Sequence, residues 1–339
     1  MSSEKKIVAS APGRAGIIGN PTDGYGGSVI SCSLAERAKV TLTPAEILEM
    51  RQAGQSVSLS SQSDFRLKGD YFDCVRAVVQ YLRLYDLKER IEISSDIPLQ
   101  AGLAGSTAIL TSLIGALLQL QRGEGSDIRH RAYNKYYIAE LTRQVELNFL
   151  RVQCGYQDQY MTVFGGLNYM DFRDKEHYRS LGEEFYATME PLADKVGELP
   201  FIVAHTGVSR DSGAVLKPIR ERWLEGERLV VEGYRRIAFL CRRGKRALLE
   251  ADWSSFGRLM DENHRIQQNL GASGEENDRL INVAREEGAL GAKLAGAGGG
   301  GSIIVLHYDL DKIARVLKDA GAERILRLEP GPGLIVEER

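Results

Sequence analysis

One stretch limits what this chain can become more than any other: from Ile97 to Gln121 there is no charged residue. It opens as Ile97-Pro-Leu-Gln-Ala-Gly-Leu-Ala-Gly-Ser-Thr-Ala108, behind a short strand-like run that ends at Asp96, and continues to Leu120 as an apolar helix. Three structures satisfy such a run. A membrane span needs only ~20 apolar residues, but Pro98, Gln100, Ser106, Thr107, Thr111 and Ser112 argue against lipid. A buried core helix behind a tight turn is the second. The third is an anion loop, in which Gly102, Leu103, Ala104 and Gly105 leave backbone N–H groups open at a helix N-terminus. Ser106 and Thr107 then offer hydroxyls to a nucleotide-bound metal. The stretch alone does not choose between the last two.

Composition narrows the partners. A chain of 339 residues, 43% hydrophobic, can bury a large core and is long enough for two domains. Its net charge of −2, with Lys and Arg spread evenly, carries no footprint for nucleic acid. Cys32, Cys74, Cys154 and Cys241 lack metal-ligand spacing, the histidines form no cluster, and no zinc site is expected. The N-terminus holds no apolar core of the length a secretory signal requires, so a cytoplasmic location is expected.

Along the chain, Lys6 to Ser10 reads as a strand and Ala11 to Gly27 as an irregular loop dense in Gly and Pro. That loop holds Arg14, Asn20 and Asp23, either for a ligand or to cap its own backbone. Val29 to Thr43 reads as strand, Ser56 to Leu67 as two short alternating runs, and Asp70 to Leu84 as a helix. Residues 127–153 are mostly helical, with Glu146 near the end, where a solvated surface charge is the simpler reading. Asp158 follows in Gly155-Tyr-Gln-Asp158, a largely uncharged setting in which a carboxylate needs a reason to be present. The charged passage 174–199 divides a domain at 1–185 from one at 186–339. Beyond it come a strand at Phe201 to His205, a polar loop carrying Arg210, three helical patterns and a glycine run ending at Gly301.

Three glycine-rich elements therefore stand in order, at 12–27, 97–108 and 291–302. None has the Lys-Ser/Thr of a Walker A loop or the distal acid of a Rossmann fingerprint. Together, in this order and spacing, they resemble the GHMP kinase superfamily over nearly the whole chain. The Gly19-Asn-Pro-Thr-Asp23, Gly-Leu-Ala-Gly-Ser-Thr and Gly155-Tyr-Gln-Asp158-Gln forms look like the sugar 1-kinases that act on glucuronic acid, as do Asp211-Ser-Gly and Arg220-Glu-Arg-Trp223. Thr206-Gly-Val-Ser-Arg210 looks more like the heptose phosphate kinases, which puts the sugar rather than the chemistry in question.

The resemblance implies an α+β fold in two parts, the N-terminal one like ribosomal S5 domain 2 and the C-terminal one ferredoxin-like. It implies ATP and Mg²⁺ as cofactors, and a small sugar or sugar acid as the substrate, with a homodimer left open. Gly102 to Thr107 and Gly298 would hold the triphosphate, Ser106 and Glu146 would ligate Mg²⁺, and Asp158 would take the proton of the sugar hydroxyl. Arg14 would sit beside Asp158, Asn20 and Asp23 would contact the sugar, and Arg210 offers a bidentate fork to a uronate carboxylate. Within the superfamily a heptose phosphate, another hexose or mevalonate is the alternative acceptor, and a non-catalytic sensor of sugar and nucleotide the remote one.

Overall fold

The computed structural model describes residues 6–98, 100–121, 134–175, 185–209 and 212–339; Arg210 lies outside them. β1 (Ile7–Ile18) continues through the first part of the stretch that reads as a loop in the sequence. It pairs antiparallel with β2 (Ser28–Pro44) from Ile7↔Leu42 to Ile18↔Ile30, with register shifts at Pro12/Arg14 and Gly16/Ile18. The Gly and Pro residues thus sit at irregularities inside a strand rather than in a loop. Such bulges re-aim single side chains, and Arg14 is one of them.

The long β2 changes partner midway. Its second half pairs with β5 (Glu89–Ser95), which in turn pairs in parallel with β3 (Leu48–Gln52) of the hairpin to β4 (Gln55–Leu59). Its first half pairs with β6 (Leu167–Asp171), and β6 with β7 (Thr188–Pro191). On this sheet lie α1 (Asp73–Leu82), α2 (Gly105–Gln121), α3 (Lys135–Gln144) and α4 (Gln157–Phe164). The uncharged α2 is the middle of that layer, with Leu110, Leu113, Ile114 and Leu117 all in the core, and is apolar all round because it is buried all round. Among the described residues no helix is long and apolar enough to cross a membrane.

The second half is built on β8 (Phe201–His205), followed by α5 (Ser212–Leu224), α6 (Arg228–Leu249), α7 (Trp253–Asn269) and α8 (Glu275–Glu286). Then come β9 (Gly291–Leu294), β10 (Ser302–Leu306), α9 (Leu310–Asp319) and β11 (Arg324–Arg327). The sheet order β11-β8-β10-β9, antiparallel throughout, is the ferredoxin-like arrangement. The last strand, β12 (Ile335–Glu338), returns to the first sheet and pairs with β1. With β7 also in that sheet, the two sheets do not part at a single point in the chain. Ile17, Ile18 and Ile30 share one apolar cluster with Phe201, Leu240 and Phe256, so the halves are joined by common core.

Candidate active site

The three glycine elements meet backbone to backbone. The N–H of Arg14 donates to the Leu103 carbonyl at 3.0 Å, and the N–H of Gly16 to the Ala295 carbonyl at 2.9 Å. Gly296 lies so close to the second element that a β-carbon there would stand 2.5 Å from the Gly102 carbonyl oxygen, which explains a glycine at this point. Where they meet, the first helical hydrogen bond of α2 runs from Ala108 N–H to Ala104 O at 2.9 Å. The N–H groups of Gly105, Ser106 and Thr107 come before that bond, at the positive end of the helix. Ala104 holds a left-handed φ of 62° to make the turn, the kind of strained backbone that collects at functional sites. Gly298 stands opposite, in the loop that closes over Gly102.

Arg14, buried at the bulge of β1, spans the junction. Its Nε and Nη2 donate to Asp158 Oδ1 at 2.8 and 2.5 Å, and its Nη1 donates to the Gly102 carbonyl at 2.6 Å. Asp158, in the first turn of α4, keeps 32% of its side chain exposed against 7% for Arg14, so the pair faces the cleft from the carboxylate side. Asp23 stabilises the start of the same helix: its Oδ2 accepts the N–H groups of Tyr156 at 2.7 Å and Gln157 at 2.9 Å. Gly155 is required there, because a β-carbon would fall 1.9 Å from that oxygen. Burial pushes the Asp23 carboxyl up, the two N–H groups pull it back down, and the neighbouring Asp158 charge adds to the rise. Asp23 Oδ1 accepts no hydrogen bond among the described residues.

Glu146 is not on an ordinary helix. α3 gives way to a π-helical turn, Val145–Phe149, and the wider turn carries Glu146 inward to 4% exposure. There the Thr107 hydroxyl donates to Oε1 at 2.7 Å and the Gln159 amide donates to Oε2. Burial lifts its carboxyl to about 7, against the pull of these two bonds, and the Asp158 charge raises it further. No cation pairs with it among the described residues. Ser106 lies exposed in the first turn of α2, next to Thr107.

Asn20 turns toward the third glycine element. Its amide donates to the Gly296 carbonyl at 3.1 Å, and its Oδ1 accepts from Lys293 Nζ at 2.7 Å. Lys293 is fully buried and also donates to the Leu294 carbonyl. Burial lowers its ammonium to about 7, and the Arg14 charge lowers it further. Sequence reasoning passed over Lys293, although it is the one charge in the third motif, and over Gln159, which shares the Asp158 turn. The Cys154 thiol lies in the electrostatic field of Glu146 and is raised, chiefly by burial.

With this geometry in place, comparison with known proteins is consistent from end to end. The galactokinase galactose-binding signature matches residues 1–44, the GHMP kinases N terminal domain residues 72–166, and the GHMP kinases C terminal family residues 245–323. Glucuronokinase 1 of Arabidopsis thaliana is 30% identical over 345 residues, covering 94% of this chain and 89% of its own length. A mevalonate kinase of Pyrococcus furiosus is 26% identical, covering 98% and 99%. The solved structure of Lactococcus lactis galactokinase complexed with galactose has the same fold, with a TM-score of 0.75 at 17% identity over 97% of this chain and 95% of that one. The chain belongs to the GHMP kinase family, phosphotransferases that act on an alcohol group and take their phosphate from ATP.

Proposed function

We propose that this enzyme transfers the γ-phosphate of ATP to the anomeric hydroxyl of a uronic acid, glucuronate first, giving the sugar 1-phosphate. The observation that carries the reading is the Arg14–Asp158 pair bonded to the Gly102 carbonyl, because it joins a carboxylate fit to take a proton to the loop fit to hold phosphate. Support for a sugar comes from the galactose-binding signature over the first motif and from the relative named glucuronokinase.

In phosphoryl transfer the protein mainly positions reactants and neutralises charge. The open N–H groups of the α2 N-terminus cradle the phosphates, with Gly298 closing the loop from the other side. Asp158 accepts the hydroxyl proton through the oxygen that Arg14 leaves open, while Arg14 holds the other oxygen in place and adds positive charge beside the transferred group. Asp23 Oδ1 accepts from a second hydroxyl of the same sugar, and Asn20 shapes this region by tying the first motif to Gly296. Arg210 is assigned to the substrate carboxylate.

A magnesium ion fits Glu146 and Ser106. Mg²⁺ is usually held by one or two protein oxygens plus substrate phosphates and water, so Glu146, bonded by the Thr107 hydroxyl, together with Ser106, the residue before Thr107, would be sufficient. Glu146 is a buried acid whose described neighbours are neutral or negative, and a cation is what it lacks. When bound, the ion would neutralise charge on the phosphates.

The test is ADP release with glucuronate, galacturonate, galactose, a heptose phosphate and mevalonate, each with ATP and magnesium. Glucuronate should give the highest kcat/KM. A preference for mevalonate or the heptose phosphate overturns the assignment of substrate.

A further inference from the structure

Beyond the motifs, a row of aromatic rings leads away from Asp23. Tyr25 closes the short 3-10 turn Thr22–Tyr25 that carries Asp23. Its ring centroid lies 4.6 Å from that of Tyr234 on α6 and 4.9 Å from that of Trp223 on α5, the latter edge-on at 64°. The Tyr234 phenol is raised by burial and then by its neighbours Tyr25 and Asp23, so this end of the row is within electrostatic reach of the Asp23 carboxylate. Ile219, Val230, Ile237 and Leu270 pack behind the rings. Trp223 is partly exposed, and among the described residues its indole N–H makes no hydrogen bond. Tyr25 thus links an acceptor to a donor: Asp23, whose Oδ1 is without a hydrogen bond among the described residues, lies two residues before it in the same turn, and Trp223, whose N–H is likewise unbonded, packs against its ring.

We propose that Tyr25 and Trp223 form the acceptor wall that selects a pyranose ring over an open-chain acceptor. A pyranose has an apolar face of C–H groups and a rim of hydroxyls, so it can lie on aromatic carbon while its hydroxyls reach the donor and acceptor. An open-chain hydroxy acid such as mevalonate has no such face and would leave the wall poorly covered. This inference rests on the sugar reading of the site and adds the residues that enforce it.

The chain has two tryptophans, so Trp253→Phe leaves Trp223 as the only indole reporter. Titrating that variant without nucleotide should give a saturable fluorescence change with glucuronate or galactose and none with mevalonate. In the otherwise unaltered chain, Trp223→Ala should raise the sugar KM roughly tenfold, the loss expected of one well-packed aromatic contact, with kcat and the ATP KM unchanged. Trp223→Phe, which keeps a ring but not the N–H, should fall between, and it stands in for the alanine variant should that one fold poorly. An unmoved sugar KM in both variants, or an equal fluorescence response to mevalonate, overturns the proposal. Turnover of mevalonate but of no sugar would instead sink the sugar reading itself, so the two failures are distinguishable.

Discussion

Arg14 grips a single oxygen of Asp158, with Nε at 2.8 Å and Nη2 at 2.5 Å on Oδ1, and leaves Oδ2 without a protein partner among the described residues. The third nitrogen is spent on Gly102, so the arginine fixes the carboxylate relative to the phosphate loop as well as pairing its charge. Geometry and charge can therefore be separated by mutation.

Arg14→Lys keeps the charge and loses the fork. Steady-state kinetics should show kcat down by about 10²-fold, the cost of an ångström-scale misplacement, with the ATP KM little changed. Arg14→Met should lose more. A lysine variant at the parental kcat would mean that orientation through Arg14 is not needed.

Glu146→Gln tests the metal assignment. The magnesium concentration for half-maximal rate should rise, or the rate should be lost, because the amide cannot offset the cation. Without metal at pH 8 the variant should melt no lower than the parent: burial raises the Glu146 carboxyl to about 7, so above that pH the parent carries a charge its surroundings disfavour. Unchanged magnesium dependence would remove Glu146 from the ion's coordination.

Lys293 makes a prediction about pH. Its ammonium falls from 10.5 to about 7 in the fold, chiefly through burial. Between those values the unfolded chain holds a proton that the native chain does not, so this group makes stability rise with pH across that window. Lys293→Met should remove the slope. Thermal melts at pH 7 and pH 9 should thus show the stability of the parent relative to the variant growing toward pH 9; a constant difference would show that Lys293 stays charged in the fold.

Much of this was legible in the chain, and the misses share a cause. The uncharged run at 97–121 is compatible with a core helix or an anion loop, because both need small or apolar residues in the same place; the structure shows the buried helix, with its first N–H groups beside the glycine junction. The first motif reads as a loop because Gly and Pro are counted locally, whereas β2 is long enough to pair across two register shifts and make it a strand. Glu146 looks like a solvated helix charge until a π turn, which local periodicity does not reveal, swings it inside. In the sequence Ser106 and Thr107 offer equivalent hydroxyls; in the fold the Thr107 hydroxyl donates to Glu146. Asn20 was matched to the sugar, but a buried lysine 273 residues away claims its oxygen, a contact that only tertiary structure can supply.

In the proposed reaction Asp158 takes the proton of the acceptor hydroxyl on a scaffold that binds nucleotide independently of it. The most direct measurement pairs ATP binding by calorimetry with ADP release in the presence of glucuronate, for the parent and for Asp158→Asn. Nucleotide affinity should be unchanged, with turnover down by roughly 10²–10⁴-fold, the usual contribution of a positioned base. An asparagine variant that turns over glucuronate at close to the parental rate would contradict that role for Asp158.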